Sequence, residues 1–245
     1  MGIDSTALEA ILLSQKYVSS KRKMLTLGRQ GLHVFPTRVD ELLMKHGQPH
    51  LAGRYVWGYC EPIFSDFGFK SIDSLDNSEY ESATRIHDMN RPLPADSPRY
   101  DYIYDGGTIE HVFNCPQVCE NIINSLEIGG IFCSVTSNNN LSGHGIYQFS
   151  PEFFLSAFNS KYGMEIQELY IGIVGTAREE WIDVNSFNKE NGGRNCAKFD
   201  RPGDVYIITI AKKISDKRLS LIEDSPQQYS YEHVEWARSN TSEKN

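Results

Sequence analysis

The run Ile131-Phe132-Cys133-Ser134-Val135-Thr136 presents apolar or small side chains to both faces of an extended chain, so a strand built from it needs cover on both sides. Antiparallel sheets that leave one face to water read as strict alternation. This segment therefore predicts a central strand of a mostly parallel sheet, with helices packed above and below it. The rest of the chain agrees. Met24 to Leu27, Phe69 to Ile72, Ala83 to His87 and Tyr100 to Tyr104 read as further short strands, followed by Gly28, Asp73, Asp88 and Asp105. Val39, Leu42 and Leu43 mark one face of a helix from Pro36 to about His46. Pro116 opens another, with Val118, Ile122, Ile123 and Leu126 at helical spacing and Gly129-Gly130 as its stop. Further on, Pro151 starts a helix that turns Phe153, Phe154, Ala157 and Phe158 inward. Glu165 to Val174 and Val205 to Ile210 then read as two strands joined by a polar insertion, an antiparallel pair at the sheet edge. Residues 1–20 read as a leading helix outside the sheet.

Strands alternating with helices over 245 residues describe one α/β domain of doubly wound type, large enough to bury its own core. The formal charge of −8 disfavours a phosphate-gripping surface; Lys21, Arg22 and Lys23 are the densest basic cluster, so no nucleic-acid partner is expected. No apolar run reaches the roughly 18 to 20 residues of a membrane span, and Asp4 and Glu9 interrupt any signal-peptide layout, so a cytoplasmic protein without a membrane partner is expected. Five cysteines without C-x-x-C spacing argue against a zinc ribbon or a disulfide framework. Cys115 and Cys119 share a helix face, but two thiols alone make no metal site.

In an open parallel sheet, ligands bind beyond the carboxyl ends of the strands, where the strand order reverses. The strand ends here carry Gly28-Arg29-Gln30-Gly31, then Asp73, then Asp88-Met89-Asn90, then Asp105-Gly106-Gly107-Thr108-Ile109-Glu110-His111. A nucleoside ligand uses such a series: a glycine turn for close backbone approach, a carboxylate for ribose hydroxyls and a polar end for an adenine amino group. Taken in order, the set resembles class I S-adenosylmethionine-dependent methyltransferases. The resemblance is closest from Tyr100 to Thr136 and looser from about Lys23 to Lys212. It implies a seven-stranded Rossmann-like sheet with helices on both faces, and S-adenosylmethionine as cofactor. Matched by position, Gly28 lies under the methionine moiety, Asp73 on the ribose, Asp88 and Met89 beside the adenine, and Asp105 and Gly106 at the methionine end. The first loop departs from the family's acidic residue followed by Gly-x-Gly-x-Gly: Thr26 takes the acidic place and only Gly28 stays in register, so Gln30 would replace a backbone contact with an amide one. Each residue also has a plainer reading. Gly28 and Gly129-Gly130 serve as turn and cap residues, Asp73 caps a helix, Asp101 is a solvated strand residue, and Glu110-His111 is a surface helix start.

By the same resemblance, residues 137–151 face the acceptor. His144, between Gly143 and Gly145, is unhindered by bulky neighbours and suits removal of a hydroxyl proton near pH 7. His111 is the second candidate, with Glu110 or Tyr147 as orienters; the plainer reading has His144 bonding only loop backbone. Two histidines and Asp105 are an alternative divalent-metal set, yet nothing in the spacing fixes that geometry and no metal is expected. Histidine bases favour an oxygen acceptor, and a loop of Asn, Ser, Gln and Tyr suits a sugar or nucleotide-linked sugar. The expected partner is thus a small molecule, a carbohydrate among the candidates, with self-association left open. The expected layout is a leading helix over 1–22, a methyltransferase-like domain over 23–213 with an insertion at 176–203, anchored by Trp181 and Phe187, and a polar extension over 214–245. A catalytically silent binding or scaffolding domain is the main alternative, and a nicotinamide-dependent oxidoreductase a third, weakened by the same missing glycine.

Overall fold

The computed structural model describes residues 2–184 and 202–227. In chain order the elements are β1 (Gly2–Ile3), α1 (Ser5–Ser14), β2 (Lys23–Leu27), β3 (Gly31–Leu32), α2 (Pro36–Lys45), β4 (Gly58–Tyr59), α3 (Glu61–Asp66), β5 (Ser71–Asp76), β6 (Arg85–Ile86), β7 (Tyr100–Asp105), α4 (Cys115–Ser125), β8 (Leu126–Asn139), α5 (Pro151–Ala157), β9 (Met164–Ile173), β10 (Ile182–Asp183) and β11 (Val205–Lys213). The main sheet runs β10-β9-β11-β8-β7-β2-β5-β6, with β2, β5, β6, β7 and β8 paired in parallel and β11 antiparallel to both of its neighbours. Consecutive residues of β7 feed opposite faces. Tyr102 and Tyr104 join the core under α1, α2 and α3, whereas Ile103 joins the core under α4 and α5. Strand pleating makes this division, and it is why both faces of β7 and β8 are apolar. The doubly wound, mostly parallel α/β architecture is therefore present.

Four details differ from the sequence reading. The sheet has eight strands rather than seven, because β10 adds to β9 from within the insertion, and a separate small sheet joins β1, β3 and β4. The antiparallel pair of β9 and β11 is present, but β11 is its inner member, between β8 and β9; Val205, Ile207, Ile208, Ile210 and Ala211 are all buried because both faces of the sheet are covered there. Helix α4 stops at Ser125, and Gly129-Gly130 sits inside β8, in an irregular stretch where Leu126 pairs with Tyr100 but Ile131 with Tyr102. Finally, β5 extends through Asp73 to Asp76. Its interior polar groups are satisfied in place, Asp73 by the Tyr100 hydroxyl at 2.8 Å and the Ser74 N–H by Thr84 at 2.8 Å.

Asp101 is buried, not solvated, and ties β7 to the entry of β2. It accepts from the N–H groups of Arg22 (2.7 Å) and Lys23 (3.1 Å) and from the Arg22 guanidinium (3.0 Å). Burial alone would raise this carboxyl, but the donors outweigh it and hold it below its ordinary value of 3.8. Its stabilisation is accordingly full above about pH 4 and is lost as pH falls through the lowered folded value. Asp101→Ala is expected to cost about 1–3 kcal/mol at neutral pH, because two part-buried N–H donors and the Arg22 guanidinium lose their acceptor, and progressively less in acid. Urea unfolding of both proteins from about pH 3 to 7 measures this, and a cost independent of pH would contradict it.

Helix α1 is covered along nearly its whole length and packs against α2 and β8. Trp181 is buried against Tyr170, with ring centroids 5.9 Å apart. Phe187 lies outside the described residues. Cys60, Cys115, Cys119 and Cys133 are buried free thiols. No helix among the described residues is long and apolar enough to cross a membrane.

Candidate functional site

Chain order along the sheet reverses between β2 and β7: β5 and β6 continue to one side, β7 and β8 to the other. The carboxyl ends of these strands diverge there and leave a cleft. The cleft has a volume of about 310 Å³, and Gly28, Gln30, Asp76, Met89, Thr108 and His111 are among the residues lining it. Beside it, beyond the ends of β7, β8 and β11, lies a smaller cavity of about 80 Å³ lined by Asp4, Gly106, Glu110, His144 and Tyr206, among others.

The first loop reaches the cleft through Gly28, whose φ of +68° suits glycine, and whose N–H donates to the Leu75 carbonyl at 2.7 Å. Gln30 folds back beneath this turn, donating from Nε2 to the Leu27 carbonyl at 2.6 Å. Its Oε1 is buried without a partner among the described residues, and a Cβ added at Gly106 would stand only 2.6 Å from it. The altered loop thus places an unused amide acceptor between two glycines.

The carboxylate at the end of the second strand is Asp76, not Asp73. Asp73 is committed to Tyr100 inside the sheet and does not line the cleft. Asp76 Oδ1 caps the following turn through the Ser78 N–H at 3.0 Å, while Oδ2 lies 3.9 Å from the position of a Cβ at Gly28, on the cleft side. Asp88 and Met89 both line the cleft. The Asp88 carboxylate closes its own turn, accepting from the N–H (3.0 Å) and the side-chain amide (2.8 Å) of Asn90, and Met89 is buried against the Asn121 amide. Asp105 lines neither cavity. Fully buried, it accepts from the Thr108 N–H and the Ser134 hydroxyl, both at 2.8 Å, and so braces the turn that presents Gly106; burial pushes its carboxyl up to about 6.

Glu110, His111 and His144 come together at the junction of the two cavities. The His111 and His144 rings meet edge to face with centroids 5.0 Å apart, and His144 Nε2 is 4.0 Å from Glu110 Oε1. Glu110 is 2% exposed; burial, then the nearby Asp105, pushes it up to about 8. His111 is lowered, by burial first and by His144 second. The loop carrying His144 is fastened to the Glu110 backbone, whose carbonyl accepts from the N–H groups of Ile146 (2.7 Å) and Tyr147 (3.1 Å). Tyr147 is no orienter for the histidines. Its hydroxyl donates to the Phe113 carbonyl at 2.8 Å and its ring stacks on Phe149, so it secures the loop.

Sequence reasoning missed Asp76, Asp4 and Tyr206. Asp76 was detectable, since the alternation Ser71-Ile72-Asp73-Ser74-Leu75-Asp76 extends the strand by three residues. Asp4 and Tyr206 carried no local signal, because Asp4 follows β1 of the small sheet and Tyr206 lies on β11 beside β8, and only the tertiary structure brings them to one cavity.

No protein-family model and no curated protein sequence matches the chain. Solved structures do. The chain is similar to TehB from Haemophilus influenzae (15% identity, 85% of this chain and 63% of that one, TM-score 0.46). It is likewise similar to the O-methyltransferase of a trans-AT polyketide synthase multienzyme from Brevibacillus brevis, solved with S-adenosyl-L-homocysteine (13% identity, 97% and 78% of the two chains, TM-score 0.46). A third is the CcbJ methyltransferase from Streptomyces caelestis (13% identity, 85% and 95%, TM-score 0.47). The sheet itself decides the fold class: β5 and β6 lie to one side of β2, β7 and β8 lie to the other, and β11 is slotted antiparallel between β8 and β9. The chain has a doubly wound, Rossmann-like α/β fold.

Proposed function

We propose that the protein is an S-adenosylmethionine-dependent methyltransferase acting on a small hydroxylated acceptor, with O-methylation of a sugar or nucleotide-linked sugar as its reaction. One observation carries the reading: the cleft at the strand-order reversal combines a strand-end carboxylate, Asp76, with a glycine turn and the unpartnered Gln30 oxygen. These groups fit the cofactor. Asp76 suits the ribose hydroxyls, and Met89 offers an apolar wall to the adenine. Gln30 Oε1 suits the ammonium of the methionine end, where Gly28 and Gly106 leave no Cβ in the way. When bound, S-adenosylmethionine supplies an electrophilic methyl group, whose in-line transfer depends chiefly on alignment and exclusion of water. The smaller cavity adjoins this end, and its polar lining of Asp4, Glu110, His144 and Tyr206 suits an acceptor carrying hydroxyls. His144 is the first candidate to take the acceptor's proton, with Glu110 beside it and His111 on the cleft side.

Calorimetric titration with S-adenosylhomocysteine is expected to show one site per chain. No heat at millimolar ligand would remove the basis for the enzyme and favour the binding-domain alternative. Heat with a nicotinamide dinucleotide instead would favour an oxidoreductase.

A further inference from the structure

We propose that Glu110, His111 and His144 bind one divalent transition-metal ion, of the Zn²⁺, Mn²⁺ or Fe²⁺ class, at the junction of the cleft and the smaller cavity. The proposal goes beyond the methyltransferase reading and does not depend on it. One ligand atom from each residue lies within 4.8 Å of the others. Metal–nitrogen and metal–oxygen bonds of about 2.0 to 2.2 Å put donors of a tetrahedral site about 3.3 Å apart, so the rings need to close by about 1.5 Å at most. The half-exposed His144 and the exposed His111 have room for that shift.

A second, independent observation points to a ligand. Glu110 is 98% buried by its 2% exposure, it lines the smaller cavity, and its Oε2 has no hydrogen-bond partner among the described residues. Among the described residues its ion-pair partner is His144, with no lysine or arginine beside it. A buried carboxylate oxygen without a donor is costly unless something bound there compensates it, and a cation does so directly. The backbone supports the same arrangement. Gly145 brings its loop so close to Glu110 that an added Cβ would stand 3.0 Å from the Glu110 carbonyl oxygen, and the two N–H donors of Ile146 and Tyr147 hold it there. Residues 33 positions apart are therefore brought together before any ion arrives.

The donor set selects the class of ion. Two imidazoles and one carboxylate suit Zn²⁺, Mn²⁺ or Fe²⁺, whereas Mg²⁺ and Ca²⁺ prefer oxygen ligands throughout. Three protein donors leave at least one coordination position open, where water or an acceptor hydroxyl can sit. The lone pair by which His144 would take a proton is the one that would bind metal, so the two roles exclude each other in the loaded protein.

The test is titration of the chelator-treated full chain with Co²⁺ as a spectroscopic probe and with Zn²⁺, Mn²⁺ and Mg²⁺ by calorimetry. Expected are one ion per chain, a visible absorption spectrum of Co²⁺ with nitrogen ligands, and an affinity at least about tenfold lower in both His111→Ala and His144→Ala. Both rings are at least partly exposed, so these variants are expected to keep the wild-type circular dichroism. His50→Ala serves as the control and is expected to bind as wild type does. Three outcomes would overturn the proposal: no binding at millimolar ion, binding that survives both histidine substitutions, or binding of Mg²⁺ in preference to the transition ions.

Discussion

Replacing His144 by alanine is expected to lower methyl-transfer turnover by about a hundredfold to ten-thousandfold while changing S-adenosylhomocysteine affinity by less than about twofold. The ring lines the smaller cavity, not the cleft, so its loss removes a group that handles the acceptor and leaves the cofactor's contacts in place. Steady-state kinetics with an identified hydroxyl acceptor, run across pH beside calorimetry, separates the two effects. Unchanged turnover would remove His144 from the chemistry. A loss that tracks metal occupancy assigns it as a ligand, and a loss that persists in metal-free protein, with a flattened pH profile, assigns it as the base. His111 touches the same ring from the cleft side, and its replacement is expected to affect both cofactor affinity and turnover.

Asp76→Ala is expected to weaken S-adenosylhomocysteine binding about tenfold to a hundredfold, because a charge-assisted acceptor is worth about 1.5 to 3 kcal/mol. Asp73→Ala is expected to leave that affinity nearly unchanged and to lower stability instead. The distinction follows from position: Asp76 stands at the strand end and lines the cleft, whereas Asp73 accepts the Tyr100 hydroxyl within the sheet. Calorimetry on the two variants decides it. A tenfold loss in Asp73→Ala with wild-type binding in Asp76→Ala would reverse the assignment.

The move from Asp73 to Asp76 shows where reading a strand from sequence loses accuracy. A carboxylate after an apolar run resembles a terminus, since an unpaired charge does not belong inside a sheet. Tyr100 makes that place tolerable from a strand 27 positions away, and no local pattern announces it. Asp101 taught the same lesson in reverse: it reads as a solvated residue of an alternating strand, yet the start of β2 surrounds it with donors.

What the sequence determined by itself was the class of fold and the neighbourhood of the site. The apolar runs of β7 and β8, the helix faces of α2 and α4 and the polar residues at strand ends are local signals, set by the periods of two and 3.6 that the backbone imposes. The tertiary structure decided which carboxylate faces the cleft, that Asp105 braces a turn and does not line a cavity, that β11 passes between β8 and β9, and that Glu110, rather than Asp105, stands beside the two histidines. Each of those outcomes depends on a partner distant in the chain. Burial and hydrogen bonding are properties of the packed neighbourhood, so a residue's role is settled only when its neighbours are.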